Sequence, residues 1–421
     1  MPIFGCIADD FTGASDAASF LIKGGLSVQL FNGVPEDMDL EKIPSNVQAV
    51  VIALKSRTQE VSGAVADSLS AARFLLRSGV KQLYFKYCST FDSTPKGNIG
   101  PVADALLELM HARYSVLCPS LPVNGRVVKN GNLYVNGIPL NESPMKNHPL
   151  TPMFDSDLSR LMSPQSKYTS YPVKLTDGKI STIERYDNQP FYLIPDYETD
   201  EDGRHIAEAF FELPLLTGGS GLLEHLGAIW ASKLSSHAEI PNSFTAGKAV
   251  LLSGSCSQAT LAQVAYYQQL GMPSLKMDPL ALLEGKDTAE SLWEKAQALG
   301  ESVLIYSSDA PEKVKEYQKY GKERVADLLE GATAYIARRA VQAGYTRVIS
   351  AGGETSGAVA KALGYSSYLI GESVAPGVPI MIPVENQSLR LVLKSGNFGK
   401  ENFFQKALNM TKGLSKSVKS E

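Results

Sequence analysis

Short apolar runs alternate with amphipathic stretches along most of the chain, and the alternation starts twice. In the first half, residues 3–7, 49–54, 82–87, 115–118, 192–195 and 215–217 are apolar over a strand's length and read as strands. Residues 65–76 repeat apolar side chains at spacings of three and four and predict a helix; helical runs also follow 192–195 and 215–217. The segment 126–140 departs from this pattern. Asn130-Gly131 and Asn136-Gly137 interrupt short β-type runs there, which is the chemistry of two-residue hairpins. Residues 141–162, rich in Pro and polar side chains, read as an ordered loop over a site or as a linker. Residues 235–247 are polar, contain Pro and Gly and have no period, so a domain boundary is expected there. The alternation then begins afresh, with strands at 249–253, 302–306, 347–351 and 389–394. Helices are expected at 259–270, 322–343 (as one or two) and 355–363. The Lys- and Ser-rich tail, 412–421, is expected to fray. The pattern predicts two α/β domains, 1–240 and 241–421, each with a mainly parallel sheet flanked by helices.

Composition narrows the function classes. A chain of 421 residues is long for a single core. A net charge of -4 offers no basic footprint, so no nucleic-acid partner is expected. The N-terminus, Met-Pro-Ile-Phe-Gly, has no charged region leading into a long apolar segment, and no apolar run is long enough to span a bilayer. The four cysteines, Cys6, Cys88, Cys118 and Cys256, are scattered and form no CxxC pair, which points to reduced thiols in a cytoplasmic protein. The five histidines do not cluster, so a zinc site is not expected.

Candidate chemistry concentrates where strands end. Ile7-Ala8-Asp9-Asp10-Phe11-Thr12-Gly13-Ala14-Ser15-Asp16 reads as strand, tight acidic turn and helix. Ligands of open parallel sheets gather outside the carboxyl ends of strands. Asp9 and Asp10 would stand there, as a base for a substrate hydroxyl or as partners for a polyol, while Thr12 or Ser15 could cap the helix. The plainer reading is that one Asp is itself the cap. Lys55-Ser56-Arg57 could hold an anion or form a solvated basic turn. The stretch from Lys86 through Asp92, Ser93 and Lys96 to Asn98 is dense in hydroxyls, with two Lys and one Asp, and suits a ligand loop. Asn124-Gly125 opens the hairpin region and is explained by turn chemistry, which leaves Arg126 less easily explained. Thr217-Gly218-Gly219-Ser220-Gly221 joins a strand to a helix, where glycines can present backbone N–H groups to anions. The second half repeats that device at 253–257, 351–357 and 395–399, and three such loops at matching strand ends suggest a phosphate-bearing ligand. None matches GxxxxGK[ST] or GxGxxG, and the protein-kinase motifs are missing, which disfavours a Rossmann dehydrogenase and a protein kinase.

Three stretches together resemble the four-carbon acid sugar kinase family: Ile7-Ala8-Asp9-Asp10-Phe11-Thr12-Gly13-Ala14; Lys86 to Thr94 with Lys96-Gly97-Asn98-Ile99-Gly100-Pro101; and Gly352-Gly353-Glu354-Thr355-Ser356-Gly357. Leu121-Pro122-Val123-Asn124-Gly125-Arg126 and Asn147-His148-Pro149-Leu150-Thr151-Pro152-Met153 resemble its 3-oxo-tetronate kinase branch. The resemblance implies a sugar-acid-binding N-terminal domain and an ATP-binding C-terminal domain, with the active site in the cleft between them. It implies transfer of phosphate from ATP to the C4 hydroxyl of a 3-oxo-tetronate of the 3-dehydro-erythronate type. Asp9 or Asp10 would be the base, an alternative the sequence leaves open. Lys55, Arg57, Lys86, Asp92, Ser93, Lys96, Asn124, Gly219 and Ser220 would serve the substrate. Ser255, Ser257, Gly352, Gly353, Glu354, Thr355, Gly396 and Gly399 would serve the nucleotide. Mg²⁺ would bridge phosphate oxygens through ligands the sequence does not name, and Lys96 could meet the γ-phosphate. A threonate or erythronate kinase, a non-catalytic sensor of the same ligands and a nicotinamide oxidoreductase are the competing classes. A homo-oligomer stays open.

Overall fold

The computed structural model describes residues 1–147, 151–176, 179–180, 189–235 and 237–413. The chain divides into two compact units, Met1–Glu239 and Ile240–Glu421. That division falls inside the polar, aperiodic segment 235–247.

The first unit begins with β1 (Phe4–Ala8), α1 (Phe11–Lys23), β2 (Val28–Asn32), β3 (Ala49–Ala53), α2 (Val61–Arg77), β4 (Gln82–Lys86), α3 (Ile99–Leu109) and β5 (Tyr114–Cys118). A small antiparallel patch of β6 (Arg126–Lys129), β7 (Asn132–Val135) and β8 (Ile138–Pro139) follows. Next come α4 (Leu158–Met162), β9 (Thr169–Val173), a two-stranded hairpin of β10 (Leu175–Thr176) and β11 (Lys179–Ile180), β12 (Phe191–Pro195), α5 (Asp200–Phe210), β13 (Leu215–Gly218) and α6 (Leu223–Lys233). The main strands run in the order β2-β3-β1-β4-β13-β5-β12-β9, every neighbouring pair parallel. β1, β3, β4 and β12 are buried along their whole length, as expected of parallel strands covered on both faces. Helices pack against one another as α1 with α6 and α2 with α3. The chain leaves β1 toward β2 and leaves β3 toward β4, so its direction reverses at the β3–β1 pair. A crevice at strand carboxyl ends forms at such a reversal.

The hairpin expectation holds. Asn130 and Gly131 have φ of 49° and 74°, and Asn136 and Gly137 have 52° and 80°, the left-handed values that a tight primed turn needs at both central residues. The segment 141–162 is not a linker. It folds into two short 3-10 turns and α4, buries Met153 and ties Ser156 to Asn141 and Leu133. His148, Pro149 and Leu150 of the quoted motif lie outside the described residues, as does the tail from 414 onward.

The second unit contains β14 (Ala249–Ser253), α7 (Gln258–Gln269), β15 (Ser274–Lys276), α8 (Pro279–Leu283), α9 (Ala289–Leu299), β16 (Ser302–Tyr306), α10 (Pro311–Gln318) and α11 (Lys322–Gln342). It continues with β17 (Arg347–Ala351), α12 (Gly353–Leu363), β18 (Ser367–Ala375), β19 (Val378–Pro383), β20 (Arg390–Lys394) and α13 (Phe403–Thr411). Strands β15-β16-β14-β17-β20 are parallel, and β19 and β18 extend the sheet antiparallel. One face of this sheet packs Leu251, Leu304 and Ile349 against Tyr267 of α7 and Phe403, Phe404 and Ala407 of α13. The stretch expected as one or two helices forms the single helix α11, Lys322–Gln342. The antiparallel pair β18–β19 was not legible in the sequence. Gly371-Glu372-Ser373 interrupts the apolar run of β18 where its register with β19 shifts, so neither a strand nor a helix period survives. Among the described residues, no helix is long and apolar enough to cross a membrane.

Candidate functional site

The loops after β1, β3 and β4 meet at the carboxyl edge of the first sheet. The Asp9 N–H donates to the Lys86 carbonyl (3.0 Å), and the Arg57 N–H donates to the Asp9 carbonyl (3.2 Å). Those backbone bonds bring the side chains together. Asp9 is 4% exposed, and both of its carboxylate oxygens are taken by Arg57: Nε donates to Oδ2 and Nη2 to Oδ1, each at 2.8 Å. This is the two-pronged geometry that makes an Arg–carboxylate pair strong. Nη2 also lies 3.0 Å from Oδ1 of Asp10, so one guanidinium clamps two acids. Burial alone would lower the Arg57 pKa, but Asp9 and Asp10 hold it well above the ordinary value.

Asp10 is the N-cap of α1, with extended φ and ψ of -150° and 163°, and its Oδ1 accepts from the Gly13 N–H at 2.8 Å. The capping expectation for Thr12 or Ser15 is therefore corrected. The helix starts at Phe11, one residue after the acid pair, so only Asp10 is placed to receive the N3 donor. The plainer reading, that one Asp is itself the cap, holds for Asp10. One oxygen caps, while Oδ2 has no hydrogen-bond partner among the described residues. Gly13 permits the close approach. A Cβ there would stand 2.3 Å from Asp10 Oδ1 and 2.7 Å from Lys86 Nζ.

Lys86 closes β4 and is 4% exposed. Burial favours its neutral form, but Asp10, Asp16 and Asp9 outweigh that and raise its pKa above 10.5. Asp16 was missed as a site residue. It lies on the buried face of α1 and accepts from the Ser220 hydroxyl, and its Oδ1 has no partner among the described residues. Burial pushes its carboxyl pKa up, against the pull of Lys86 and Ser220. The expectation that the Gly219–Ser220 turn faces a ligand is corrected as well. The Gly219 N–H donates to the Cys118 carbonyl (3.0 Å), its carbonyl accepts from the Tyr84 hydroxyl (2.6 Å), and the Ser220 hydroxyl serves Asp16. These groups are committed inside the fold.

In the loop after β4, Phe91 is buried with φ at 52°, a strained conformation for a bulky side chain. Its ring packs edge-on against Tyr87 at 5.7 Å, which holds the turn that aims Asp92 inward. Thr90 donates to Asp92 Oδ1 at 2.7 Å, and Ser93 donates to Gln165 Oε1 at 2.8 Å. Asp9, Ser56, Arg57, Asp92, Ser93 and Asn98, with Phe85 and Ile99, line one small pocket of about 10 Å³, room for roughly one water-sized group. Lys55 and Lys96 are exposed outside this lining, and Asn124 sits in a 3-10 turn beside the hairpin patch, also outside it.

In the second unit the three glycine-bearing loops converge. The Gly254 N–H donates to the Ala351 carbonyl (3.1 Å), and the Gly352 N–H to the Lys394 carbonyl (2.9 Å). Those two amides are therefore internal, contrary to the simple picture of every loop N–H facing a phosphate. Ser257 caps α7, accepting from the Thr260 N–H, and its hydroxyl donates to the Gly396 carbonyl at 2.7 Å. The Ser255 hydroxyl would lie 2.4 Å from a Cβ on Gly396, so the last loop can lie against the first only with glycine there. Gly399, with φ at 81°, turns the chain toward α13. The first turn of α12 has no side-chain cap. Gly353 and Glu354 are exposed at that turn, Thr355 is buried beneath it, and a Cβ on Gly353 would meet nothing. An uncapped helix N-terminus with open space before it suits an anion. Among the described residues, no group of three or more His, Cys, Asp or Glu is gathered for a metal.

Lys394 also escaped the sequence reading, because it stands in an apolar strand. It is fully buried and donates to Thr260 Oγ1 (2.9 Å) and to the carbonyls of Ser395 (3.1 Å) and Gly396 (3.0 Å), pinning the last loop. Burial pushes its pKa from 10.5 down to about 8. Between pH 8 and 10.5 the unfolded chain then holds more protons than the folded one, so the contribution of this group to stability rises with pH across that window. Lys394→Met should flatten this rise in denaturant midpoints measured from pH 7 to 10. Equal slopes in the two proteins would refute it.

The two halves of the chain match different family models. Residues 4–226 match a family model described as a sugar-binding N-terminal domain, and residues 250–404 match one described as a nucleotide-binding C-terminal domain. The chain is 44% identical to the 3-oxo-tetronate kinase of Actinobacillus succinogenes, covering 97% of this chain and 99% of that one. It is 42% identical to the 3-oxo-tetronate kinase of Haemophilus influenzae, over 97% and 100%. A crystal structure of a Haemophilus influenzae protein superposes with a TM-score of 0.82 at 40% identity, over 96% of this chain and 99% of the other. The chain belongs to the four-carbon acid sugar kinase family, in the branch of the 3-oxo-tetronate kinases.

Proposed function

We propose that the protein transfers the γ-phosphate of ATP to the C4 hydroxyl of a 3-oxo-tetronate of the 3-dehydro-erythronate type. The observation that carries this is the acid pair at the β3–β1 reversal, with Asp9 locked by Arg57 and Asp10 keeping one oxygen unpaired. The free Oδ2 of Asp10 accepts the C4 hydroxyl proton as phosphate transfer begins. Asp9 fixes Arg57, and Arg57 and Lys86 place positive charge where the substrate's carboxylate and the incoming phosphate bring negative charge. Asp92 and Ser93 bond the acid's polar groups. Phosphoryl transfer needs this positioning and charge balance more than covalent help.

In the second unit the uncapped first turn of α12 and the Gly396–Gly399 loop fit a triphosphate, with Ser255 and Ser257 holding the loops in register. Mg²⁺, which would neutralise phosphate charge, is commonly held by phosphate oxygens and one or two carboxylates; Glu354 is the exposed acid beside that turn. The two sites must face one another for transfer, which makes an interdomain active site part of this proposal. Closure would exclude water from the phosphate. A coupled ADP-release assay across four-carbon acids, oxidised and unoxidised at C3, tests the reading. Acid-dependent ADP release greatest with the 3-oxo acids is expected. Release only with the 3-hydroxy acids would move the assignment to a threonate or erythronate kinase, and none with any acid would refute the enzyme.

A further inference from the structure

Two side chains in the acid pocket hold polar atoms that the protein itself leaves unused. Ser56 is 1% exposed and Asn98 is 7% exposed, and both line the pocket beside Asp9 and Arg57. Ser56 Oγ and Asn98 Oδ1 have no hydrogen-bond partner among the described residues. A buried polar atom without a partner is costly, so such atoms in a pocket ask for a ligand.

The amide of Asn98 has a defined orientation. Its Nδ2 donates to the Ser56 carbonyl at 2.6 Å and to the Gln59 carbonyl at 2.8 Å. Flipping the amide would set Oδ1 against two carbonyl oxygens, so Oδ1 must be the atom left over. Asn98 is also the N-cap of α3, a place where Oδ1 ordinarily accepts from the helix's second or third N–H. It does not do so here. Gln165 takes over, its Oε1 accepting from the Gly100 N–H at 3.0 Å and from the Ser93 hydroxyl at 2.8 Å. The fold thus brings in a distant glutamine to cap the helix and leaves the nearer acceptor, on a side chain that lines the pocket, without a partner among the described residues.

We infer that Asn98 Oδ1 and Ser56 Oγ are the receptor for a hydroxyl group of the substrate, and so set its specificity. Asn98 Oδ1 can only accept, which suits a hydroxyl and rejects a carboxylate, ketone or phosphate oxygen. Ser56 Oγ can donate to that hydroxyl or accept from it. This rests on the kinase reading, in which the C4 hydroxyl goes to Asp10. The remaining hydroxyl of a 3-oxo-tetronate is on C2, and that is the group assigned to this receptor.

A site built to bond a hydroxyl discriminates strongly against the analogue lacking it, because its polar atoms stay unpaired. The test compares a 3-oxo-tetronate with freshly prepared 4-hydroxy-3-oxobutanoate, which lacks the C2 hydroxyl. Both calorimetric binding and ADP release are measured, on wild type and on Ser56→Ala. The wild type should prefer the hydroxylated acid by on the order of 10⁴-fold. Ser56→Ala removes an atom with no protein partner, so the melting temperature should not fall. It should weaken binding of the hydroxylated acid about 10-fold and shrink the preference by the same factor. Equal binding of the two acids by the wild type, no binding of either, or an undiminished preference in Ser56→Ala would overturn the receptor and leave a water as its occupant. Retained discrimination in binding without ADP release would instead sink only the kinase reading.

Discussion

Asp10→Asn should lower kcat by about 10²–10⁴-fold, the usual contribution of a general base, with nucleotide affinity unchanged. The substitution keeps the shape of the side chain and removes its charge, which also faces Arg57 and Lys86. Asn caps helices as well as Asp does, so the bond from the Gly13 N–H to the side chain, and with it the start of α1, should survive. What disappears is the unpaired carboxylate oxygen. Asp9→Asn should also reduce turnover, but by a different route. Both oxygens of Asp9 are already held by Arg57, which makes Asp9 a poor proton acceptor and a good anchor. An amide there offers Arg57 only one acceptor, so the clamp loosens and stability falls along with rate. Rapid-quench measurement of the transfer step, with nucleotide affinity measured separately, distinguishes the two. Wild-type kcat in Asp10→Asn would remove it as the base.

Arg57→Ala should cost about 3 kcal/mol of folding stability, the lower end of what breaking a buried ion pair costs, because Asp9 would be left buried without its partner while Arg57 itself is partly exposed. A plain substrate contact, the role the resemblance implies for Arg57, would give a narrower effect, a raised KM for the acid. The structure shifts the expectation, since this guanidinium is committed to Asp9 and Asp10 before any ligand arrives. The same substitution should therefore lower kcat as well as raise KM. Arg57→Lys should recover part of the stability but little of the rate, because an ammonium cannot span two carboxylate oxygens and a second acid with a planar fork. Urea titration with paired steady-state kinetics checks both. Unchanged stability in Arg57→Ala would mean that the pair contributes nothing to the fold.

The features that the sequence determined by itself are those carried by local patterns. The buried parallel strands announce themselves as unbroken apolar runs, such as Ala49–Ala53 and Phe191–Pro195. The Asn-Gly pairs mark primed turns, because few other dipeptides accept left-handed angles twice in succession. Acids and small residues at strand ends mark the rims of both sheets, because strand termini in α/β sheets are where backbone and side chains are left for ligands. Tertiary structure alone decided which of those groups remain available. Asp9 and Asp10 are equivalent in the sequence until Arg57, brought over from the neighbouring strand, takes both oxygens of one and touches only one of the other. Ser220 looks like a ligand group until Asp16 claims it, and that Gln165 rather than Asn98 meets the first turn of α3 appears only in the fold. Lys394 is silent in the sequence, because its burial and its bond to the Thr260 hydroxyl, from a helix far away in the chain, exist only once the sheet has formed. Periodicity and turn preference act over a few residues and can be read in order. Hydrogen-bond partners are allotted by distance in space, so the difference between a committed group and a free one exists only once the chain has folded.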